Sequence, residues 1–232
     1  MAHKQLTLRI SPQEIYRLDN FLFSDETLRE AVDEFCQGEG HGFLYICGVS
    51  GSGKTHLCLA IAETIQQQTS VAYLNFSELR DTAEPSVLMS LMHADVICCD
   101  DVEAIAGDIA WQEALFHAFN ELRLQQKRLL IMAENPPAQS TITLADLRSR
   151  LATGLVFQLA MMDDDLKQQA LILQAQSRGL ILSEEVAQYL LRHYGRDMPS
   201  LINVLQMLDH ASLQAQRRLT IPFVKEVMQH GN

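Results

Sequence analysis

The chain has 232 residues and a formal net charge of −11, and 47% of its residues are hydrophobic. A chain of this length can bury the core of one large domain and still supply a smaller one. Its acidity argues against nonspecific attraction to nucleic acid, which requires a basic surface. The five cysteines show no zinc-ligand spacing, and no apolar run is long enough for a signal peptide or a membrane span. We therefore expect a cytoplasmic protein with no membrane partner.

Residues 48–55 fit the phosphate-binding pattern G-x-x-x-x-G-K-[ST] at every fixed position. The pattern lies between a predicted strand, residues 43–47, and a predicted helix, residues 56–67. In such a loop, glycines let backbone N–H groups surround phosphate oxygens at a helix N-terminus. The lysine adds positive charge and the last hydroxyl can ligate Mg²⁺. This context favours a nucleoside di- or triphosphate site over a simple glycine-rich turn. The predicted nucleotide ligands in this region are Gly48, Ser50, Gly51, Ser52, Gly53, Lys54, Thr55 and His56.

Strands and helices are predicted to alternate over the first two thirds of the chain. The other four predicted strands cover residues 71–76, 95–100, 128–133 and 155–159. The main helices predicted between them cover residues 85–93, 109–126 and 144–151. Central strands that are apolar on both faces and joined by helices are typical of a parallel sheet covered on both sides. The sequence therefore predicts an α/β nucleotide-binding domain with five parallel strands.

From residue 163 onward the pattern changes to helices alone. Asp163, Ser183 and Thr220 each stand where they can cap a helix, and a further helix is predicted over residues 198–216. We therefore predict a small all-helical domain after the sheet. The predicted boundaries are 1–18 for an N-terminal segment, 19–160 for the α/β domain and 161–232 for the helical domain.

Two adjacent aspartates, Asp100 and Asp101, end the third predicted strand. A carboxylate there faces the phosphate-binding loop across the neighbouring strand end, where open parallel sheets bind their ligands. We therefore predict that Asp100 joins Thr55 in holding Mg²⁺ and that Asp101 orients an attacking water. The alternative is that both acids only form a turn.

Several sequence blocks resemble the AAA+ ATPase module of the DnaA/Hda family of bacterial replication proteins. They are residues 53–57, 100–103, 106–107, 116–122, 134–137, 146–151 and 219–224. The resemblance covers about residues 19–228 and implies a P-loop α/β domain followed by a helical lid. The chain stops where the initiator continues into a DNA-binding domain, and it lacks the initiator's long N-terminal region. In this it is similar to the Hda branch, whose members inactivate the initiator after replication starts.

Arg150 matches an arginine that, in AAA+ proteins, projects from one subunit toward the γ-phosphate held by its neighbour. The resemblance therefore implies a trans arginine finger, with Arg148 as an accessory candidate. A planar guanidinium with five donors suits phosphate oxygens better than a lysine does. Taken alone, Arg150 is a surface arginine one helical turn from Asp146, and such a pair contributes little to stability.

Residues 5–8, QLTL, resemble the short motif with which bacterial proteins dock on the sliding clamp, the β subunit of DNA polymerase III. Gln5 would then hydrogen-bond at the pocket rim while Leu6 and Leu8 enter apolar pockets. The alternation of Leu6, Leu8 and Ile10 with polar residues also fits an ordinary edge strand.

Two departures from the family pattern bear on hydrolysis. Glu134 stands where the family usually has an aspartate that contacts the γ-phosphate, with Asn135 beside it as a substitute. Pro199 stands where the family commonly has a phosphate-sensing arginine, and Arg196, about one helical turn earlier, is the predicted partial substitute for it. Since proline supplies no donor, we expect a regulator that holds ADP or ATP and hydrolyses it weakly.

The resulting hypothesis is negative control of replication initiation. Docked on a DNA-loaded clamp, the protein would present Arg150 to ATP held by DnaA and stimulate its hydrolysis. It would contact DNA only through the clamp, and the resemblance leaves a homodimer open. The alternative within the fold is a helicase loader of the DnaC type, which binds the replicative helicase and single-stranded DNA. A P-loop kinase would need an acceptor pocket and arginines in a mobile lid, whereas Arg178, Arg192 and Arg196 are too widely spread for this.

Overall fold

The computed structural model describes residues 16–195 and 197–230 of the chain. Its internal contacts divide these residues into two compact units. Residues 16–18 and 23–161 form the first unit, and residues 19–22, 162–195 and 197–230 form the second. Within the described residues, no helix combines the length and apolarity that a membrane crossing requires.

A sheet of five parallel strands forms the centre of the first unit. The strands are β1 (Phe43–Cys47), β2 (Val71–Asn75), β3 (Val96–Asp100), β4 (Arg128–Ala133) and β5 (Leu155–Gln158). Their spatial order is β2-β3-β4-β1-β5, so consecutive strands are joined by crossovers. All pairs are parallel, and in the central pair Tyr45 of β1 lies opposite Ile131 of β4. The predicted five-stranded parallel sheet is confirmed.

Six helices in the described part of this unit connect and cover the strands. They are α1 (Glu26–Gln37), α2 (Lys54–Gln66), α3 (Phe76–Leu79), α4 (Val87–Ser90), α5 (Ile109–Leu124) and α6 (Ala145–Leu151). The second strand was predicted to include Phe76, but the chain turns into α3 at that residue. The reason is local, because the Asn75 side chain accepts hydrogen bonds from the backbone N–H groups of Ser77 and Glu78 and so caps a helix.

The core lies around the central strands, and every residue of β1 and β3 is buried. By contrast, most of β5, at one edge of the sheet, is exposed. The Phe43 ring meets the Phe119 ring edge to face, with centroids 5.2 Å apart. Gly154, just before β5, faces the same ring, and a Cβ added there would lie 2.6 Å from it. The turn between α6 and β5 is therefore packed against the core so closely that only glycine fits without moving Phe43.

The second unit contains four helices in its described part. They are α7 (Asp164–Ser177), α8 (Glu184–His193), α9 (Met198–Ala215) and α10 (Ile221–His230). The predicted caps are confirmed, because the Asp163, Ser183 and Thr220 side chains accept from the N–H groups three residues ahead at 2.8, 3.4 and 3.4 Å. Residues 19–22 join this unit partly through Gln174, whose Nε2 donates to the Asn20 carbonyl at 3.0 Å. The helices enclose an apolar core of their own.

Candidate functional site

The loop of residues 48–53 joins β1 to α2 and requires glycine at several positions. Gly51 and Gly53 have φ angles of +80° and +95°, in the region that glycine adopts without strain. A Cβ at Gly48 would lie 2.6 Å from the Ser52 hydroxyl oxygen. Among the described residues, no side chain caps the start of α2. The first N–H groups of that helix therefore remain available to an anion.

Lys54, the first residue of α2, is buried against this loop. Its Nζ donates to the carbonyl oxygens of Gly48 at 2.7 Å and Val49 at 3.2 Å. These contacts hold the ammonium group against the loop backbone. A buried cation is costly unless it is paired with negative charge. The arrangement therefore suits an anionic ligand at the loop.

The Ser52 hydroxyl is a second sign of a ligand. It is buried, yet among the described residues it has no hydrogen-bond partner. Buried polar groups are nearly always hydrogen-bonded in folded proteins. A phosphate oxygen bound by the loop would accept from this hydroxyl and satisfy it. The residues present thus fit a phosphate group.

Asp100, at the end of β3, is fully buried. Its carboxylate accepts from the Tyr73 hydroxyl at 3.1 Å and from the backbone N–H of Asp101 at 3.0 Å. Burial raises the pKa of Asp100, a hydrogen bond from the Thr55 hydroxyl opposes that rise, and the Asp101 charge adds to it. The structure thus brings together Thr55 and Asp100, the two predicted Mg²⁺ ligands, and oxygen donors are what Mg²⁺ prefers.

Asp101 takes a different environment from its neighbour. Its φ angle is +53°, in the left-handed region, and it precedes a short 3₁₀ turn, Val102–Ile105. Its carboxylate accepts from the Ser77 hydroxyl at 3.0 Å. The structure therefore places the predicted water-orienting carboxylate against α3.

Glu134, the other predicted catalytic residue, is exposed just after β4. The carboxylate of Glu103 accepts from the backbone N–H of Glu134 and from that of Asn135, the latter at 3.2 Å. Burial raises the pKa of Glu103, and the positive charge of Lys54 acts in the opposite direction. Sequence reasoning gave Glu103 no role, although it lies only three residues after Asp100. In the structure it fixes the backbone that carries the candidate γ-phosphate contacts.

The other residues singled out in the sequence lie either in described helices or outside the described residues. The His56 ring of α2 meets the Tyr16 ring edge to face at 5.4 Å. Pro199 lies in the first turn of α9, where its missing N–H breaks no helical hydrogen bond. The predicted phosphate-sensing Arg196 and the predicted clamp-binding residues lie outside the described residues, the latter being Gln5, Leu6 and Leu8.

Arg150 lies in the last turn of α6 and is exposed. Among the described residues, its guanidinium forms no hydrogen bond or ion pair, either with the phosphate-binding loop or with Asp146. Arg148, two residues earlier, differs because its Nη1 donates to the Ile142 carbonyl at 3.1 Å. The two arginines of this helix are therefore distinct, with one bonded to its own chain and the other facing outward.

A side chain that sequence reasoning missed joins α6 to the turn after Asp101. Gln112 of α5 is fully buried, and its Nε2 donates to the Ile105 carbonyl at 3.1 Å. Its Oε1 accepts from the N–H groups of Thr143 at 3.0 Å and Leu144 at 2.8 Å. The available signal was a polar residue on the same helix face as the apolar Leu115 and Phe119.

Two family models together match most of this chain. The family model for the bacterial DnaA ATPase domain matches residues 13–158, and the one for the Hda lid domain matches residues 164–228. Domain III of the Thermotoga maritima replication initiation protein DnaA has a TM-score of 0.74 at 22% identity, covering 93% of this chain and 96% of that one.

Two other solved structures extend the comparison. AMPPCP-bound DnaA from Aquifex aeolicus has a TM-score of 0.68 at 22% identity, covering 86% of this chain and 66% of that one. The Thermotoga maritima RuvB Holliday junction branch migration motor has a TM-score of 0.66 at 17% identity, covering 94% of this chain and 72% of that one. These likenesses confirm the predicted AAA+ fold.

Proposed function

This chain belongs to the bacterial DnaA ATPase family, and from that membership we propose that it regulates replication initiation by stimulating hydrolysis of ATP bound to DnaA. The observation that carries the proposal is the exposed guanidinium of Arg150, which has no partner among the described residues. An arginine in that state is available to a second protein. The match of residues 164–228 to the Hda lid family supports the regulatory branch over the initiator itself.

In this proposal, the chain's own loop holds ADP or ATP. Lys54, the Ser52 hydroxyl and the loop N–H groups would bind the phosphates, and Thr55 and Asp100 would hold Mg²⁺. The bound Mg²⁺ would offset phosphate charge. The nucleotide analogue in the Aquifex aeolicus DnaA structure supports the assignment. Because Pro199 has no donor for a terminal phosphate, we expect hydrolysis by the chain alone to be weak.

Arg150 would act on the nucleotide of the partner. Its guanidinium would contact the γ-phosphate held by DnaA and stabilise the charge that develops during phosphoryl transfer. The competing local role, an ion pair with Asp146, is not formed in the structure. Arg148 is unsuited to the same task as it stands, because its guanidinium is directed to the Ile142 carbonyl.

The clamp would bring the two proteins together. Gln5, Leu6 and Leu8 would dock in a pocket of the sliding clamp, which places the regulator on the DNA where DnaA acts. Tethering of this kind raises the effective concentration of one partner near the other without new contacts between them. It also lets an acidic chain act at DNA without a basic surface of its own.

The test is a hydrolysis assay with DnaA–ATP, DNA-loaded clamp and this chain. Arg150→Ala should return hydrolysis to the unstimulated rate, since a trans arginine contributes about 10³-fold or more. Arg148→Ala, on the same helix, is the matched control and should keep most of the stimulation. Omission of the clamp should also remove it. The proposal is wrong if Arg150→Ala stimulates hydrolysis as well as the parent chain does.

A further inference from the structure

The orientation of α6 cannot come from the helix itself. It has seven residues, and its first turn has no side-chain cap from its own N-cap residue, Leu144. Isolated helices of this length are unstable, so their direction is set by surrounding contacts. Leu147 and Leu151 are fully buried and fix one face. Those apolar contacts leave the polar start of the helix to be fixed by other groups.

Gln112 supplies the missing acceptor from a different helix. Its Oε1 accepts from the N–H groups of Thr143 and Leu144 and also from the Thr143 hydroxyl at 3.1 Å. Because the amide is fully buried, replacement by an apolar side chain would leave these donors without an acceptor. The buried Oε1 of Gln112 therefore fixes the direction in which these N–H groups point.

The other end of the same amide reaches the nucleotide side of the unit. Nε2 of Gln112 donates to the carbonyl of Ile105, in the 3₁₀ turn that follows Asp101. That turn also carries Glu103, which holds the backbone after β4. One side chain thus joins the start of the Arg150 helix to the turn that follows the candidate Mg²⁺ ligand.

We propose that Gln112 is a positioning residue for Arg150. Its buried amide fixes the start of α6 to the Val102–Ile105 turn, so that the guanidinium at the far end of the helix is presented in one orientation. The inference rests on the proposed role of Arg150 as a trans arginine finger. Displacement of a catalytic group by about 1 Å can cost about 10²-fold in rate, which makes this anchor important.

The experiment compares Gln112→Met with Gln112→Glu. The methionine has a similar length but no amide, whereas the glutamate keeps oxygen acceptors for Thr143 and Leu144 but, when ionised, has no donor for Ile105 and places a buried charge against that carbonyl. We expect Gln112→Met to lower the rate of DnaA-bound ATP hydrolysis at saturating regulator by about 10- to 100-fold. The regulator concentration for half-maximal stimulation and its own ADP affinity should change by less than about twofold. Gln112→Glu should also lower the rate, because without the donor to Ile105 the start of α6 is no longer joined to the Val102–Ile105 turn.

A second measurement reports on the anchor directly. Hydrogen exchange of the Thr143 and Leu144 amides should become faster in Gln112→Met and stay close to the parent in Gln112→Glu. Gln125→Met is the matched control, because Gln125 is exposed just after the end of the same helix. If Gln112→Met does not bind ADP, Gln112→Asn is used instead. Its shorter amide also cannot contact Ile105 and the Thr143–Leu144 backbone at the same time.

The outcomes separate this inference from the proposed function. If Arg150→Ala still stimulates hydrolysis, the proposed function fails, while the exchange data still decide whether Gln112 anchors α6. If Arg150→Ala is inactive but Gln112→Met stimulates as the parent does, the positioning role is overturned. Unchanged exchange at Thr143 and Leu144 in Gln112→Met, measured in folded protein, overturns the anchor itself.

Discussion

The phosphate-binding loop and the far end of α6 belong to the same unit but are constructed in opposite ways. Around the loop, Lys54 and Asp100 are buried and hydrogen-bonded to neighbouring groups of their own chain. At the end of α6, Arg150 is exposed and has no partner among the described residues. A buried cation is stabilised by an anionic ligand, whereas an exposed one is solvated and accessible to a second molecule. Under the proposed function, the first arrangement holds a ligand within one chain and the second supplies one group to a site shared between two chains.

The most severe test of this comparison is the pair Lys54→Ala and Arg150→Ala. Lys54→Ala should weaken ADP binding by about 100-fold, because charge-assisted hydrogen bonds to phosphate are lost. Arg150→Ala should change ADP affinity by less than about twofold and the free energy of unfolding by less than about 0.5 kcal/mol. Titration calorimetry and thermal denaturation measure both quantities. An equal loss of ADP affinity in the two variants would erase the distinction.

Glu103 extends the comparison to the backbone beside the loop. Glu103→Ala removes the acceptor of two N–H groups, at Glu134 and Asn135, and should lower the free energy of unfolding by about 2 kcal/mol. Glu103→Gln keeps an oxygen acceptor and should lose less than about 1 kcal/mol. Urea denaturation of both variants measures the difference. If both variants are equally destabilised, the contribution of Glu103 to stability comes from its charge and not from its hydrogen bonds to the backbone.

Asp100→Asn has the smallest expected effect, and unlike the Glu103 variants it should increase the free energy of unfolding. Burial raises the folded-state pKa of Asp100 above its ordinary value of 3.8. A raised folded-state pKa means that the protonated form is favoured by folding. The stabilisation from protonated Asp100 is fully present below pH 3.8, and it is lost as the pH rises through the folded-state pKa.

Asparagine removes this loss, so Asp100→Asn should increase the free energy of unfolding at neutral pH by about 1 kcal/mol while weakening Mg²⁺-dependent nucleotide binding. Unfolding of parent and variant from pH 4 to pH 8, without nucleotide or Mg²⁺, measures the first effect. Asp146→Asn, at an exposed position, serves as the control. A variant less stable than the parent at neutral pH would show that the Asp100 charge is held favourably.

The parts of this molecule that the sequence predicts well depend on short stretches of chain. The phosphate-binding loop is contiguous, and its spacing follows from the chemistry of holding phosphate. The caps at Asp163 and Ser183 act on N–H groups three residues away, so they too can be found locally. Apolar runs such as Phe43–Cys47 similarly predict buried strands because burial on both faces leaves no polar positions.

What the sequence did not predict depends on contacts between distant residues. Glu103 and Glu134 are 31 positions apart, and Gln112 bonds to residues equally far along the chain. Only tertiary packing brings these groups together, so no local pattern specifies the partner. Gln112 gave a partial signal as a polar residue on an apolar helix face, which predicts burial but not what it contacts.

The glycine between α6 and β5 affects how substitutions in this region should be interpreted. Any side chain at Gly154 would press on the Phe43 ring, which in turn meets Phe119. A substitution at that position would therefore disturb the hydrophobic core rather than the exposed side chain of Arg150. If Arg150 has the proposed role, a screen for loss of regulation would recover substitutions at Gly154 as well as at Arg150, and a measurement of melting temperature would distinguish the two classes.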